Sequence, residues 1–176
     1  MKKQKMQLLL LGIILIIVLA AFLILRSRQS VQNDKEEQTA SYEVISIREE
    51  KLEGFTVENM GEVYAFKKGE NGWETDQRTA DMLNQDTLEA MLAQITSLRA
   101  DDRIEGVSDL SGFGLEKPEV FVTLILTDGT EYRLAFGDYN EMAGVYYLGL
   151  NGSDVAYTTP INIKGSFRIT WEKVEN

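Results

Sequence analysis

The chain of 176 residues contains no cysteine and no histidine. Those two absences remove Ser-His-Asp and Cys-His catalysis, thiol chemistry and the usual zinc ligands. The lack of cysteine also rules out disulfide partners and a lipid-anchored lipoprotein, without fixing the redox compartment. Carboxylates, hydroxyls, lysines and tyrosines are what remain for chemistry. Acid is missing from one region. The first 28 residues hold none of the 28 Asp and Glu but 5 of the 18 Lys and Arg. The remainder sets 13 basic against 28 acidic residues, a formal charge of −15.

Within the acid-free segment, Leu8 to Leu25 is an unbroken apolar run in which 15 of 18 residues are Leu, Ile, Val or Phe. Eighteen helical residues are about 27 Å long at about 1.5 Å each, close to a hydrocarbon core. A buried core helix would carry a polar stripe, and this run has none. A cleaved signal peptide would be shorter and end at a small-x-small site, whereas Ala20 and Ala21 lie inside the run. The reading is an uncleaved signal anchor, a transmembrane helix that contacts the lipid bilayer through about residues 7–25. Lys2, Lys3 and Lys5 precede it and Arg26 and Arg28 follow, which biases the N-terminus towards the cytoplasm. An anionic cytoplasmic leaflet and nucleic acid would both repel the acidic remainder, so the body is placed outside the cytoplasm with no nucleic-acid partner.

Residues 29–41, QSVQNDKEEQTAS, are polar and without periodicity, and read as a flexible stalk. Residues 42–176 then make one α+β domain, a mainly antiparallel β-sheet with one principal amphipathic helix packed on it. YEVISI, GFTVEN and EVYAFKK alternate as strands, and GENG turns the last of them back through Trp73. Asn84 caps a helix whose buried face is Leu88, Met91, Leu92, Ile95 and Leu98. Asp128-Gly129 predicts a two-residue type I′ turn that sets Ile125 opposite Tyr132, Thr123 opposite Leu134 and Phe121 opposite Phe136. That register leaves the face of Val120, Val122, Leu124 and Leu126 only partly covered. A second hairpin turns at Asn151-Gly152 and aligns Tyr146, Leu148, Leu150, Val155 and Tyr157 on one face. INIKGSFRITWEKVEN is compatible with a final strand.

The candidate sites are weak one by one. SGFGLEKP holds two glycines, but a phosphate loop needs a helix after them, and here Pro118 and a β-rich run follow. The reading is a corner in which Gly112 and Gly114 supply positive-φ turns. Asp101-Asp102 and Glu49-Glu50 are adjacent acids, which strands send to opposite faces and loops leave solvated. DYNEMAG, with Asp138, Asn140 and Glu141, begins like a calcium loop and lacks the rest. Asn151-Gly152-Ser153 fits the glycosylation pattern and equally the turn it makes. Trp73, Tyr146 and Tyr147 raise the possibility of an aromatic platform. Alternation places Tyr146 with the core set and Tyr147 on the other face, which makes Tyr147 the candidate partner surface. No catalytic, cofactor-binding or metal residue is assigned.

Gly72-Trp73, the helix, GFGLEKP at 112–118, LTDGTEYRLAFG at 126–137 and GVYYLGLNGSDVAY at 144–157 form an ordered set. In that set the chain resembles bacterial proteins of domain-of-unknown-function family 4340. The resemblance implies a membrane-tethered, extracytoplasmic, β-rich domain with no established activity and no catalytic residues to transfer. Many such proteins are encoded beside ABC-transporter components of the gliding-motility type, which implies an envelope protein complex as partner. Longer members carry more than one unit, and one is visible here. The function expected is a membrane-anchored binding or scaffold domain rather than an enzyme. The alternatives are an enzyme that acts on cell-wall polymers through paired carboxylates, and a small-ligand sensor with a concave face at Tyr147.

Overall fold

The computed structural model describes residues 41–176. The expected transmembrane helix over about residues 7–25, and the polar segment as far as residue 40, lie outside the described residues. Among the described ones, no helix is long and apolar enough to cross a membrane. The strands are β1 (Tyr42–Ser46), β2 (Leu52–Asn59), β3 (Glu62–Gly69), β4 (Gly72–Glu74), β5 (Ser97–Ala100), β6 (Asp102–Ile104), β7 (Val120–Leu126), β8 (Glu131–Asn140), β9 (Val145–Leu150) and β10 (Ala156–Thr159). The helices are α1 (Gln85–Thr96), α2 (Ile163–Phe167) and α3 (Trp171–Val174). Eight strands form one sheet in the order β4-β3-β2-β7-β8-β9-β10-β6, and β1 pairs with β5 separately. Every pairing is antiparallel. The α+β class read from the sequence is the class observed.

One face of the sheet carries the core. Phe55 and Val57 from β2, Tyr64 and Phe66 from β3, Val122 and Leu124 from β7, and Leu134 and Phe136 from β8 are buried there. The same cluster includes Leu88, Met91, Leu92 and Ile95 from α1 and Ile163, Phe167, Ile169 and Val174 from the C-terminal segment. Phe55 stacks on Phe66 at 4.6 Å and receives Trp73 edge-on at 5.0 Å.

The β7–β8 register differs from the expected one by a residue. Leu124 faces Tyr132, Val122 faces Leu134 and Val120 faces Phe136. Leu126 N–H bonds to the Thr130 carbonyl, and Gly129 N–H to the Leu126 carbonyl, so the loop has three residues with Gly129 at φ 82°. The Asp128 carboxylate accepts from Thr130 N–H at 2.9 Å, which stabilises this wider turn over the two-residue one. A one-residue slip exchanges the faces. Val120, Val122, Leu124 and Leu126 are therefore the buried set, and Phe121, Thr123 and Ile125 lie half-exposed on the other side.

Two further expectations are corrected. Helix α1 is capped as predicted, the Asn84 side chain accepting from Thr87 N–H at 2.9 Å, but it ends at Thr96. Leu98 is buried from β5, where Leu98 and Ala100 point in and Ser97 and Arg99 point out. Pairing with β1 converts the period from helical to strand at that point. The C-terminal segment is two short helices and not a strand. Asn162 accepts from Gly165 N–H at 3.0 Å and so caps α2, which buries Ile163 and Phe167 one turn apart.

The β4 edge of the sheet is closed by a side chain. Gln85 Oε1 accepts from Trp73 N–H at 2.7 Å, while its Nε2 donates to the carbonyls of Trp73 at 3.0 Å and Ala80 at 2.8 Å. The amide thus stands in for a neighbouring strand. Gln85→Ala leaves these groups without partners, and the expected loss is about 2 kcal/mol of stability, read from urea denaturation.

Candidate partner surface

The GFG corner packs against the sheet. Ser111–Phe113 is a single 3-10 turn, and Gly114 leaves it at φ 67°. Gly112 does not take positive φ, contrary to expectation, and has open space around it. The corner sits on the sheet face opposite the core. Phe113 meets the Tyr147 ring edge-on at 4.8 Å, and Leu115 lies over Gly149. A Cβ at Gly137 would stand 2.2 Å from the Phe113 carbonyl oxygen, and one at Gly114 would stand 2.4 Å from the Asp138 carboxylate carbon. Two glycines therefore permit the close approach. The next element after this turn is the strand β7 and not a helix.

Beneath the corner the sheet is irregular. The β8–β9 register shifts between Phe136 and Tyr139, which makes Gly137-Asp138 a bulge. The bulge returns Tyr139 to the core-side face, opposite Tyr146, with ring centroids 4.6 Å apart. These two rings, with Asn162, Lys164 and Arg168, line a hollow of about 230 Å³. Lys164 Nζ lies 3.3 Å from the Gly137 carbonyl and 3.4 Å from Glu119, which also binds Arg168. The Arg168 hydrogen bond, reinforced by Lys164, holds the Glu119 carboxyl below its usual pKa. Both cations are engaged by Glu119. The hollow consequently presents aromatic surface and neutral amide more than free positive charge.

Tyr147 is half-buried under Phe113 rather than freely presented. Its hydroxyl accepts from Asn140 Nδ2 at 2.7 Å, and Asn140 Oδ1 accepts from the N–H groups of Met142 and Ala143, each at 3.1 Å. Tyr147 thereby fixes the β8–β9 loop, whose tip is the fully exposed Met142. Tyr147→Phe keeps the ring contact and removes the loop's tie. The expected result is a loss of about 1 kcal/mol and faster hydrogen exchange at Met142 and Ala143.

The other candidates separate. Trp73 is buried against Phe55, and Tyr146 and Tyr147 occupy opposite faces, so the three do not form one platform. Asn140 is engaged by its own loop, and among the described residues no three acidic side chains converge to hold a metal ion. Asn151 takes φ 53° in its turn and accepts from Arg133 N–H at 2.8 Å. Glu49 and Glu50 are exposed on a 3-10 turn. The pairing of Tyr139 with Tyr146 was missed by simple alternation, although Gly137 inside a strand pattern is the signal of a bulge.

A family model described as "Domain of unknown function (DUF4340)" matches residues 73–173, more than half of the chain. The chain belongs to the DUF4340 family. The DUF4340 match begins at the buried Trp73 and takes in the corner, the bulge, both tyrosine contacts and the capped helix α2. Strands β1 to β3 lie before it, although β2 sits between β3 and β7 within the same sheet. Comparison with curated proteins and with solved structures gives no match.

Proposed function

We propose that this DUF4340 chain is a single-pass membrane protein whose domain stands outside the cytoplasm and binds or scaffolds other envelope components. Its place is as an accessory to an ABC-transporter-associated assembly of the gliding-motility kind. The observation that carries the reading is the charge division, with an apolar, acid-free front and a body of formal charge −15. The family's implied setting supports the choice of partner.

A binding role also suits the chemistry present. Hydrogen bonds to the ionised form hold the carboxyls of Asp109, Glu119 and Asp128 below their usual pKa. A general acid needs the opposite displacement. The enzyme alternative would look to the open hollow of about 640 Å³ lined by Glu70, Glu74 and Asp81. There Glu74 is 3.9 Å from Lys67, and Asp81 accepts from the Thr79 hydroxyl at 2.6 Å. The discriminating experiment is purification from cross-linked, detergent-solubilised membranes. Recovery of transporter subunits with the chain is expected, and recovery of the chain alone contradicts the proposal.

A further inference from the structure

The exposed apolar residues gather at one end of the sheet. Among the described residues six large apolar side chains are exposed, and five are Met60, Val63, Tyr139, Met142 and Ile161, at 49–98% exposure. The register brings them together. Met60 and Val63 belong to the β2–β3 hairpin end, where Asn59 pairs with both Glu62 and Val120. Val120 pairs with Phe136, just before the end of β8 that carries Tyr139 and leads into the loop of Met142. Tyr146 pairs with Thr159, two residues before Ile161. The Asp128-Gly129 and Asn151-Gly152 turns occupy the opposite end.

Two independent features mark this end. Met60 has φ 53° in a two-residue turn with Gly61, a conformation in which a long side chain is disfavoured and Asn is the preferred residue. Asn does occupy the equivalent conformation at Asn151. The second feature is the entry of the chain. Tyr42 pairs with Ala100, and Asp101 N–H bonds to the Thr158 carbonyl at 2.8 Å, so the domain is entered beside the end of β10. Arg99 fixes that entry by donating to the Ser41 hydroxyl at 2.7 Å and to its carbonyl at 2.6 Å. Fifteen residues separate Leu25 from Ser41, a reach of at most about 58 Å.

We propose that this end of the sheet rests on the bilayer, with Met60, Met142 and Ile161 entering the interface and Tyr139 and Tyr146 lying at headgroup level. The inference rests on the anchored reading above. The entry of the chain at Ser41, beside the end of β10, makes this end of the sheet the one nearest the tether and supports lipid as the occupant. Tyrosine suits a headgroup layer because its ring is apolar and its hydroxyl stays wet. The body is acidic and Glu119 engages Lys164 and Arg168, so attachment is apolar and insensitive to salt.

The chain has no cysteine, so a single cysteine carries a unique fluorophore. The full chain is placed in phosphatidylcholine nanodiscs containing nitroxide-labelled lipid, with the probe at Met142→Cys, Met60→Cys or, as the far-end control, Ser153→Cys, an exposed position of the Asn151-Gly152 turn. Labels at 142 and 60 are expected to shift to the blue and to be quenched several-fold more than the label at 153, at low and raised salt alike. Met60→Asn, which suits its turn, is expected to keep or raise stability while weakening quenching of a probe at Ile161→Cys. Equal quenching at all three sites in a chain that stays with the nanodisc overturns the docking and leaves the anchor intact. A chain that elutes apart from the nanodisc overturns the anchor itself. Protection at 142 in native membranes but not in nanodiscs identifies a protein as the occupant, and overturns the lipid assignment.

Discussion

Phe167→Ala is expected to lower the free energy of unfolding by about 3–5 kcal/mol. Phe167 is fully buried and lies nearly parallel to Phe136, with ring centroids 5.5 Å apart. Phe136 sits in a central strand of the sheet, so this contact joins the C-terminal segment to the sheet directly. Truncation removes the aromatic contact and opens a cavity between α2 and the sheet. The neighbours Ile163 and Ile169 are also buried and cannot both move in without leaving the core. The measurement is urea denaturation followed by the emission of Trp73 and Trp171. Trp171 packs 4.9 Å from Tyr64 and under the Arg78 guanidinium, and so reports on the C-terminal segment. Loss below about 1 kcal/mol would show that α2 is peripheral to the cooperative unit.

Gly137→Ala follows, with an expected cost of about 3 kcal/mol. The added methyl would stand 2.2 Å from the Phe113 carbonyl oxygen and 3.1 Å from both Leu115 Cδ2 and Tyr147 Cβ. The first of these is backbone, so a rotamer change cannot relieve it. Either the corner lifts from the sheet or the bulge flattens, and both outcomes uncover Tyr147. Gly112→Ala supplies the contrast, because that glycine has open surroundings and no positive φ. Its expected effect is within about 0.5 kcal/mol, by the same denaturation measurement. Equal costs at the two glycines would remove the close-approach account of the corner.

The sequence displayed its strands, its capped helix and its turns because each has a local cause. Asn84, Gly129 and the Asn151-Gly152 pair act within three or four residues, and a short window suffices to see them. Register is not local in that sense. Whether Asp128-Gly129 makes a two- or three-residue loop depends on the Asp128 carboxylate accepting from Thr130, a small preference that then exchanges the faces of a whole strand. Leu98 continued the helical spacing but was taken by β1 across a gap of more than 50 residues. The C-terminal helices were hidden because residues 163 and 167 satisfy alternation as well as helical spacing, and the Asn162 cap decided between them. At the candidate surface, alternation correctly separated Tyr146 from Tyr147. It did not show that Phe113 covers one of them while a bulge brings Tyr139 to the other. The gathering of Met60, Met142 and Ile161 was out of reach for the same reason. Those residues share an end only after the strand order is known.

The central claim is that the DUF4340 domain is carried outside the cytoplasm, and one labelling experiment tests it most directly. Ser153→Cys places a single thiol on an exposed turn of the full chain, and intact cells are treated with a membrane-impermeant maleimide. The account predicts labelling in intact cells to the same extent as after lysis. Labelling that requires lysis would place the domain in the cytosol and contradict it.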